Sequence, residues 1–279
     1  MSPRAILGTI LRHGLLIAAS FVMLYPLLWM VASAFKPEAE IFTDLSIIPP
    51  SLDLKNFREG WYALQTSFTR FYWNSFVIAM LVVIGNLMSC SLTAYAFARL
   101  QFKGRQPLFA LMLGTLMLPY HVTLIPQYVL FLNLGWVDTF LPLVVPKFLA
   151  ADAFFIFLMV QFFRGIPREL DEAAQMDGCS PWRIYWKIIM PLSLPVLATA
   201  GIFSFLWTWN DFFGPLIYLN DSANYTVPLA LRSFVDATGT SAWGQLFAMS
   251  VLAILPIFLV FLCFQRLIIE GVAMSGMKR

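Results

Sequence analysis

Six stretches of this chain, 11–35, 71–97, 108–132, 140–163, 192–217 and 246–267, are apolar almost throughout, and each is long enough to cross a bilayer as a helix. A hydrocarbon core of about 30 Å needs about 20 such residues. No water is available there to satisfy a free amide or carbonyl, so a helix is the natural solution for each run. Composition agrees: 12% of residues are charged and 60% hydrophobic, against roughly 25% charged in soluble domains. That leaves too little polar surface for a water-exposed globule of this size. The sequence therefore predicts an all-α integral membrane protein, a single transmembrane domain over 1–279. The net charge of +3 is too small to point to nucleic acid.

The third run is the least regular, because Pro119 and Pro126 interrupt it. It predicts a span to about Leu118 followed by a short helix. Arg4 and Arg12 ahead of an apolar run, with Ala32-Ser33-Ala34 at its end, resemble a secretory signal. The apolar part is longer than the 7–15 residues of such a signal, so it reads as an uncleaved first span. Twelve of the 18 lysines and arginines fall at the N-terminus, in the segments after the second and fourth runs, and at the end of the sixth run or beyond it, with Arg12 and Arg266 in the terminal residues of the first and sixth runs. Five fall in the alternate segments, and Lys147 lies in the middle of the fourth run. Positive-inside bias then predicts six transmembrane helices with both termini cytoplasmic.

Several chemistries lack their residues. Cys90, Cys179 and Cys263 are odd in number and far apart, and His13 and His121 are the two histidines. No disulfide framework or metal motif follows, so no metal or resident cofactor is expected. No GxxxxGK[ST] loop is present to cradle ATP. Any hydrolysis of ATP with magnesium belongs to another chain. A membrane-embedded enzyme would need clustered catalytic groups, and Asp152 and Asp211 are isolated in sequence. A stand-alone ion-coupled carrier, the alternative transporter class, would usually carry more spans or an internal inverted repeat.

The segment 164–190 carries the most information. Pro167 suits the first turn of a helix, and Glu169, Asp171 and Glu172 complement its dipole. Gly178 supplies a cheap positive φ for a stop. Ser180 and Pro181 then restart a helix as N-cap and first residue. Trp182, Tyr185, Trp186 and Ile189 form one stripe of that helix beside Arg183 and Lys187, as in a helix lying at a membrane surface. Two capped helices are more than a connector requires, so the loop predicts a cytoplasmic docking knob, with a plain interfacial loop as the alternative.

Glu172-Ala173-Ala174, Asp177-Gly178, Ile188 and Pro191 strongly resemble the EAA loop of ABC-type import permeases. Asn74-Ser75, Leu118-Pro119, Ile125-Pro126, Trp209-Asn210-Asp211, Gln265-Arg266, Gly271 and Gly276 look like the carbohydrate branch, of maltose/glycerol-phosphate type. The likeness covers about 11–278, with a family core of about 71–268. It implies the type I importer permease fold in a bacterial or archaeal plasma membrane. It further implies two copies of an ATPase subunit, a second homologous permease and an extracellular solute-binding protein. Glu172, Ala173, Ala174, Asp177 and Gly178 are then the ATPase-coupling residues, with Cys179 where alanine is common. A solute that is not a sugar, such as glycerol phosphate, is the alternative within the branch.

Polar residues inside the runs are the candidate pathway: Trp209, Asn210 and Asp211 in the fifth, Asp152 in the fourth, and Gln245 beside the sixth. A charge at membrane depth costs about 2.5–3.5 kcal/mol on insertion scales, so Asp211 should face protein or water. Asn210 and Asp211 can equally pack helices near the end of their span. Lys147 and Asp152, five apart, can pair or line a cavity. His121 follows a kinking proline and reads as structural.

Overall fold

The computed structural model describes residues 3–49, 51–236 and 242–276, and every regular element among them is helical. Lys278 and Arg279, counted above among the inner cations, lie outside the described residues. In chain order the helices are α1 (Pro3–Ser33), α2 (Lys55–Tyr62), α3 (Phe68–Arg99), α4 (Arg105–Thr115), α5 (Tyr120–Asn133), α6 (Leu141–Phe148), α7 (Ala153–Gly165) and α8 (Glu169–Met176). After these come α9 (Pro181–Ile184), a π turn (Tyr185–Ile189), α10 (Met190–Leu192), α11 (Leu194–Trp209), α12 (Phe213–Tyr218), α13 (Val227–Asp236) and α14 (Trp243–Gly276). Short 3₁₀ turns occupy Glu38–Glu40 and Ser222–Asn224.

Four apolar stretches among the described residues are long enough to cross a membrane: Leu11–Ser33, Phe68–Arg99, Leu141–Gly165 and Trp243–Gln265. A fifth is added if Pro181–Leu192 and Leu194–Trp209, which meet at 77°, count as one broken span. The third sequence run is not one helix. It is divided into α4 and α5 at Leu116–Pro119, and Pro126 sits inside α5. Proline disfavours helix in the residue before it, which places the break where Pro119 stands. The fourth run is also interrupted, between Phe148 and Ala153, where Ala150 takes a φ of +55°.

The chain packs as two compact units. The first comprises Met1–Thr69 and Ala230–Leu255. Its loop after α1 is held by Lys36, which is 0% exposed, donates to the carbonyls of Asp44 (2.7 Å) and Ser46 (2.8 Å), and pairs with the Asp44 carboxylate at 3.2 Å. A buried ammonium persists because its donors are filled this way. The Glu38 carboxylate accepts from the amides of Trp243 and Gly244, both at 2.9 Å, and so caps the start of α14. Leu15, Ile17, Val22 and Met23 of α1 are exposed around the helix, as suits a helix surrounded by lipid.

The second unit comprises Arg70–Leu229 and Pro256–Arg279. Its core joins α3, α7, the α9–α10 segment and α11 through Ala94, Ala98, Met159, Phe163, Tyr185, Ile189 and Ala200, all buried. At Gly85 an added Cβ would lie 2.8 Å from the Phe148 ring and 3.1 Å from the Lys147 backbone. The missing side chain is what lets α3 and α6 approach this closely.

Candidate functional site: a docking knob and a polar cavity

Two sites arise in the second unit. The first is the 164–190 loop. Four acidic or small exposed residues of the resemblance, Glu172, Ala173, Asp177 and Gly178, lie on the surface, while Ala174 is buried in the core. Met176 stands among them 89% exposed. Gly178 has φ +76°, the left-handed conformation expected of the bend. Ser180 Oγ accepts from the Arg183 amide at 3.3 Å as N-cap, with Pro181 first in the helix. The predicted aromatic stripe divides. Tyr185 and Ile189 are buried, and Trp182 and Trp186 are exposed. A π turn occupies Tyr185–Ile189, a local widening of the helix that ordinary helical spacing does not anticipate.

What holds the knob in place was not visible in the sequence. Arg99, at the end of α3, donates through Nη2 to the carbonyls of Phe163 and Ile166, both at 2.7 Å, and pairs through Nη1 with Asp171 at 3.1 Å. The two side chains are 3% and 13% exposed. Arg99 thus ties the end of α7 to α8. Tyr95 donates to the Pro181 carbonyl at 2.9 Å, and the hydroxyls of Ser91 and Tyr185 meet at 2.7 Å. In sequence Arg99 reads only as one more inner cation.

The second site is a cavity of about 1000 Å³ walled by α3, α4–α7, α11 and α12. Among its polar lining are Asn86, Gln127, Lys147, Asp152, Ser204, Thr208 and Asp211. Lys147 and Asp152 form the pair the spacing allowed, with Nζ 2.8 and 3.0 Å from the two oxygens, across the break between α6 and α7. Asn86 donates to Asp152 Oδ2 at 2.8 Å and to Ser204 Oγ at 3.0 Å, so the network joins three elements. Ser89 donates to the Lys147 carbonyl at 2.6 Å. Asp211 Oδ1 accepts from the Gly214 amide at 3.2 Å, so this residue both faces the cavity and starts α12.

The other pathway candidates stand elsewhere. Trp209 is buried against Phe205 and Tyr72, and Asn210 donates to the Leu206 carbonyl at 2.8 Å; neither lines the cavity. Gln245 belongs to the first unit, 3.4 Å from Glu59 in a separate crevice of about 490 Å³. His121 packs 5.9 Å from the Phe213 ring. Asn86, Gln127, Ser204, Trp207 and Thr208 are among the lining residues that the sequence alone does not single out; an amide inside an unbroken apolar run was the signal for Asn86.

A multi-pass helical membrane protein with an exposed, capped two-helix loop and a polar cavity among its spans has the parts of a transport subunit. The chain belongs to the family described as the binding-protein-dependent transport system inner membrane component, whose model matches residues 5–273. It is 35% identical over 254 residues to the probable ABC transporter permease protein YurM of Bacillus subtilis, covering 91% of this chain and 83% of that one. It is 34% identical over 276 residues to the arabinooligosaccharides transport system permease protein AraQ of Halalkalibacterium halodurans, covering 98% and 97%. The sn-glycerol-3-phosphate permease protein UgpE of Brucella abortus is 32% identical over 271 residues, with 95% of each chain covered. The fold matches a chain in the crystal structure of a bacterial ABC transporter that imports the acidic polysaccharide alginate, at TM-score 0.84 and 23% identity over 95% of this chain and 98% of that one. The chain is thus the membrane-spanning, non-enzymatic subunit of an ABC importer.

Proposed function

We propose that this subunit forms half of the translocation pathway of an ATP-driven carbohydrate importer in a bacterial or archaeal plasma membrane. It crosses the membrane six times with both termini in the cytoplasm. Support comes from the distribution of lysine and arginine, and from taking α4–α5 as one broken span and the α9–α11 segment as another. The working assembly contains two ATPase copies, a second homologous permease and an extracellular solute-binding protein. ATP and magnesium bind on the ATPase. Carbohydrate as the solute class rests on relatives such as AraQ; the UgpE relatives favour glycerol phosphate as the second reading.

The observation that carries the coupling role is the exposed surface of Glu172, Ala173, Met176, Asp177 and Gly178 on a loop whose other side is locked into the core. An ATPase cleft that receives this knob gains an apolar contact from Met176 and a carboxylate contact from Glu172 or Asp177. Ala173 permits close approach. When the ATPase dimer closes, the knob moves, and the helices exchange inward-open and outward-open arrangements. Coupling of this kind requires that both the nucleotide and the solute bias one two-state element.

Co-purification in detergent with the candidate ATPase tests the reading, comparing the wild type with Glu172→Lys and Gly178→Pro. Both variants should fold and reach the membrane but capture at least tenfold less ATPase. Equal capture by all three would refute the docking role. Failure of the wild type to capture any ATPase would refute the importer assembly.

A further inference from the structure

We infer that this subunit itself holds the solute, in the cavity of the second unit, and that the cavity is built for an uncharged polyhydroxylated molecule in preference to an anion. This rests on the importer reading above and narrows its solute. The cavity, at about 1000 Å³, lies at the upper end of the roughly 300–1,000 Å³ typical of small-molecule sites. Its charged lining is Lys147, Asp152 and Asp211, one cation against two carboxylates.

The cation is already matched. Lys147 spends two donors on the oxygens of Asp152, which Asn86 also holds. A phosphate or uronate entering here would compete with Asp152 for that ammonium while facing the second carboxylate, Asp211. A like charge in such a position is unfavourable even where the groups are partly exposed.

A hydroxyl group meets the opposite circumstances. It both donates and accepts, and the Lys147–Asp152 pair presents an ammonium and a carboxylate side by side, 31% and 25% exposed. Hydrogen bonds to ionised groups are the strong ones. Ser204 and Thr208 on α11 and Gln127 on α5 add neutral partners. The apolar face of a sugar ring also has a place. Trp207 lines the cavity 51% exposed, and its ring is fixed by Phe154 and Phe155, each 5.2 Å away. A rigid indole beside polar groups supplies area at little entropic cost.

The test uses the complete importer, purified without its solute-binding protein in lipid nanodiscs, with and without a non-hydrolysable ATP analogue. Equilibrium binding is measured for labelled arabinotriose, maltotriose and diacetylchitobiose as neutral probes. Glycerol 3-phosphate and an oligouronate are the anions. The best neutral probe should bind at least tenfold more tightly than either anion. Trp207→Ala should weaken it at least tenfold. Asp211→Asn, which keeps an oxygen for the Gly214 amide, should bring the anions to within about threefold of the neutral probe. Anions that bind as well as or better than every neutral probe would overturn the inference, as would Trp207→Ala and Asp211→Asn variants that bind like the wild type. Absence of binding by all probes, in an assembly whose ATP hydrolysis still responds to the solute-binding protein, would overturn the cavity assignment and leave the importer standing. An assembly that captures no ATPase would refute the importer itself.

Discussion

Replacing Arg99 by methionine should release α8 from the body of the protein without unfolding the rest. The side chain makes three charge-assisted contacts, to the Phe163 and Ile166 carbonyls and to Asp171, and is almost fully buried. Methionine fills similar space but leaves the Asp171 carboxylate and the Ile166 carbonyl without the Arg99 donor, while the Phe163 carbonyl keeps only the Ile166 amide. Breaking a buried pair by removing one partner costs about 3–5 kcal/mol. Helix α8 has eight residues, and isolated helices shorter than about 12–15 residues are marginal in water. The loss therefore exceeds what α8 can sustain alone, and it should appear as local opening. Each 1.4 kcal/mol is about tenfold, so the opened population should rise by roughly 10²- to 4 × 10³-fold.

Limited tryptic cleavage at the exposed Arg168 and Arg183, in micelles and at low protease, reads that population, because cleavage tracks the open form when closing is fast. Asp171→Asn should act in the same direction and more weakly, since Arg99 keeps its two carbonyls. Arg99→Met combined with Asp171→Leu removes both charges and should recover most of the protection, giving a coupling energy of about 2 kcal/mol or more in a double-mutant cycle. Cleavage of Arg99→Met within about threefold of wild type would refute the clamp. So would a double variant cut as fast as Arg99→Met alone.

Three further outcomes follow from the packing. Gly85→Ala places a methyl 3.1 Å from the Lys147 backbone, where no side chain can swing aside. It should cost about 1–3 kcal/mol by overpacking, seen as a lower melting midpoint in detergent, and an unchanged midpoint would contradict the close approach. Lys36→Met empties the donors that hold the Asp44 and Ser46 carbonyls and should cost about 1–3 kcal/mol by the same measurement. The Asp138 carboxylate, in the loop before α6, accepts from the amides of Asp221 and Asn220, both at 2.9 Å, and from Asn224. The Asp221 amide first, and then Asn220, hold it below the usual carboxylate range. Its contribution to stability is complete above the unfolded value of about 3.9 and disappears as pH falls through the lower folded value. Asp138→Asn should flatten the acid side of a melting profile taken between pH 6 and 3, and an identical acid slope would contradict this.

The sequence was readable where structure is set by neighbours in the chain. Gly178, Ser180 and Pro181 act within one or two turns, and the bend and cap appear where their chemistry puts them. Pro119 likewise placed the break between α4 and α5. Legibility ended where partners are distant. Arg99 meets Asp171, and Asn86 meets Asp152 and Ser204, only after the helices have packed. The π turn was hidden for a different reason: it changes the helical period on which an aromatic stripe is judged.

Both candidate sites hang from one helix. Along α3, Asn86 and Ser89 hold the cavity network, whereas Ser91, Tyr95 and Arg99 hold the docking loop. At 1.5 Å per residue, Asn86 and Arg99 lie about 20 Å apart on a continuous hydrogen-bonded rod. If an ATPase docks as proposed, a loop displaced by its closing must either break its bonds to Tyr95 and Arg99 or carry α3 with it. The buried contacts at Arg99 make the second the cheaper course. The Lys147–Asp152 pair spans the interrupted helix α6–α7, and Asn86 holds it from α3. Motion of α3 consequently reaches the cavity at a place where its wall is already broken. Uncoupling follows as the specific consequence of cutting the rod's attachment. An Asn86→Leu variant should assemble with the ATPase and hydrolyse ATP, yet at saturating solute, where a weaker cavity affinity is offset, import at least tenfold less per ATP consumed. Equal import per ATP would show that the signal travels by another helix.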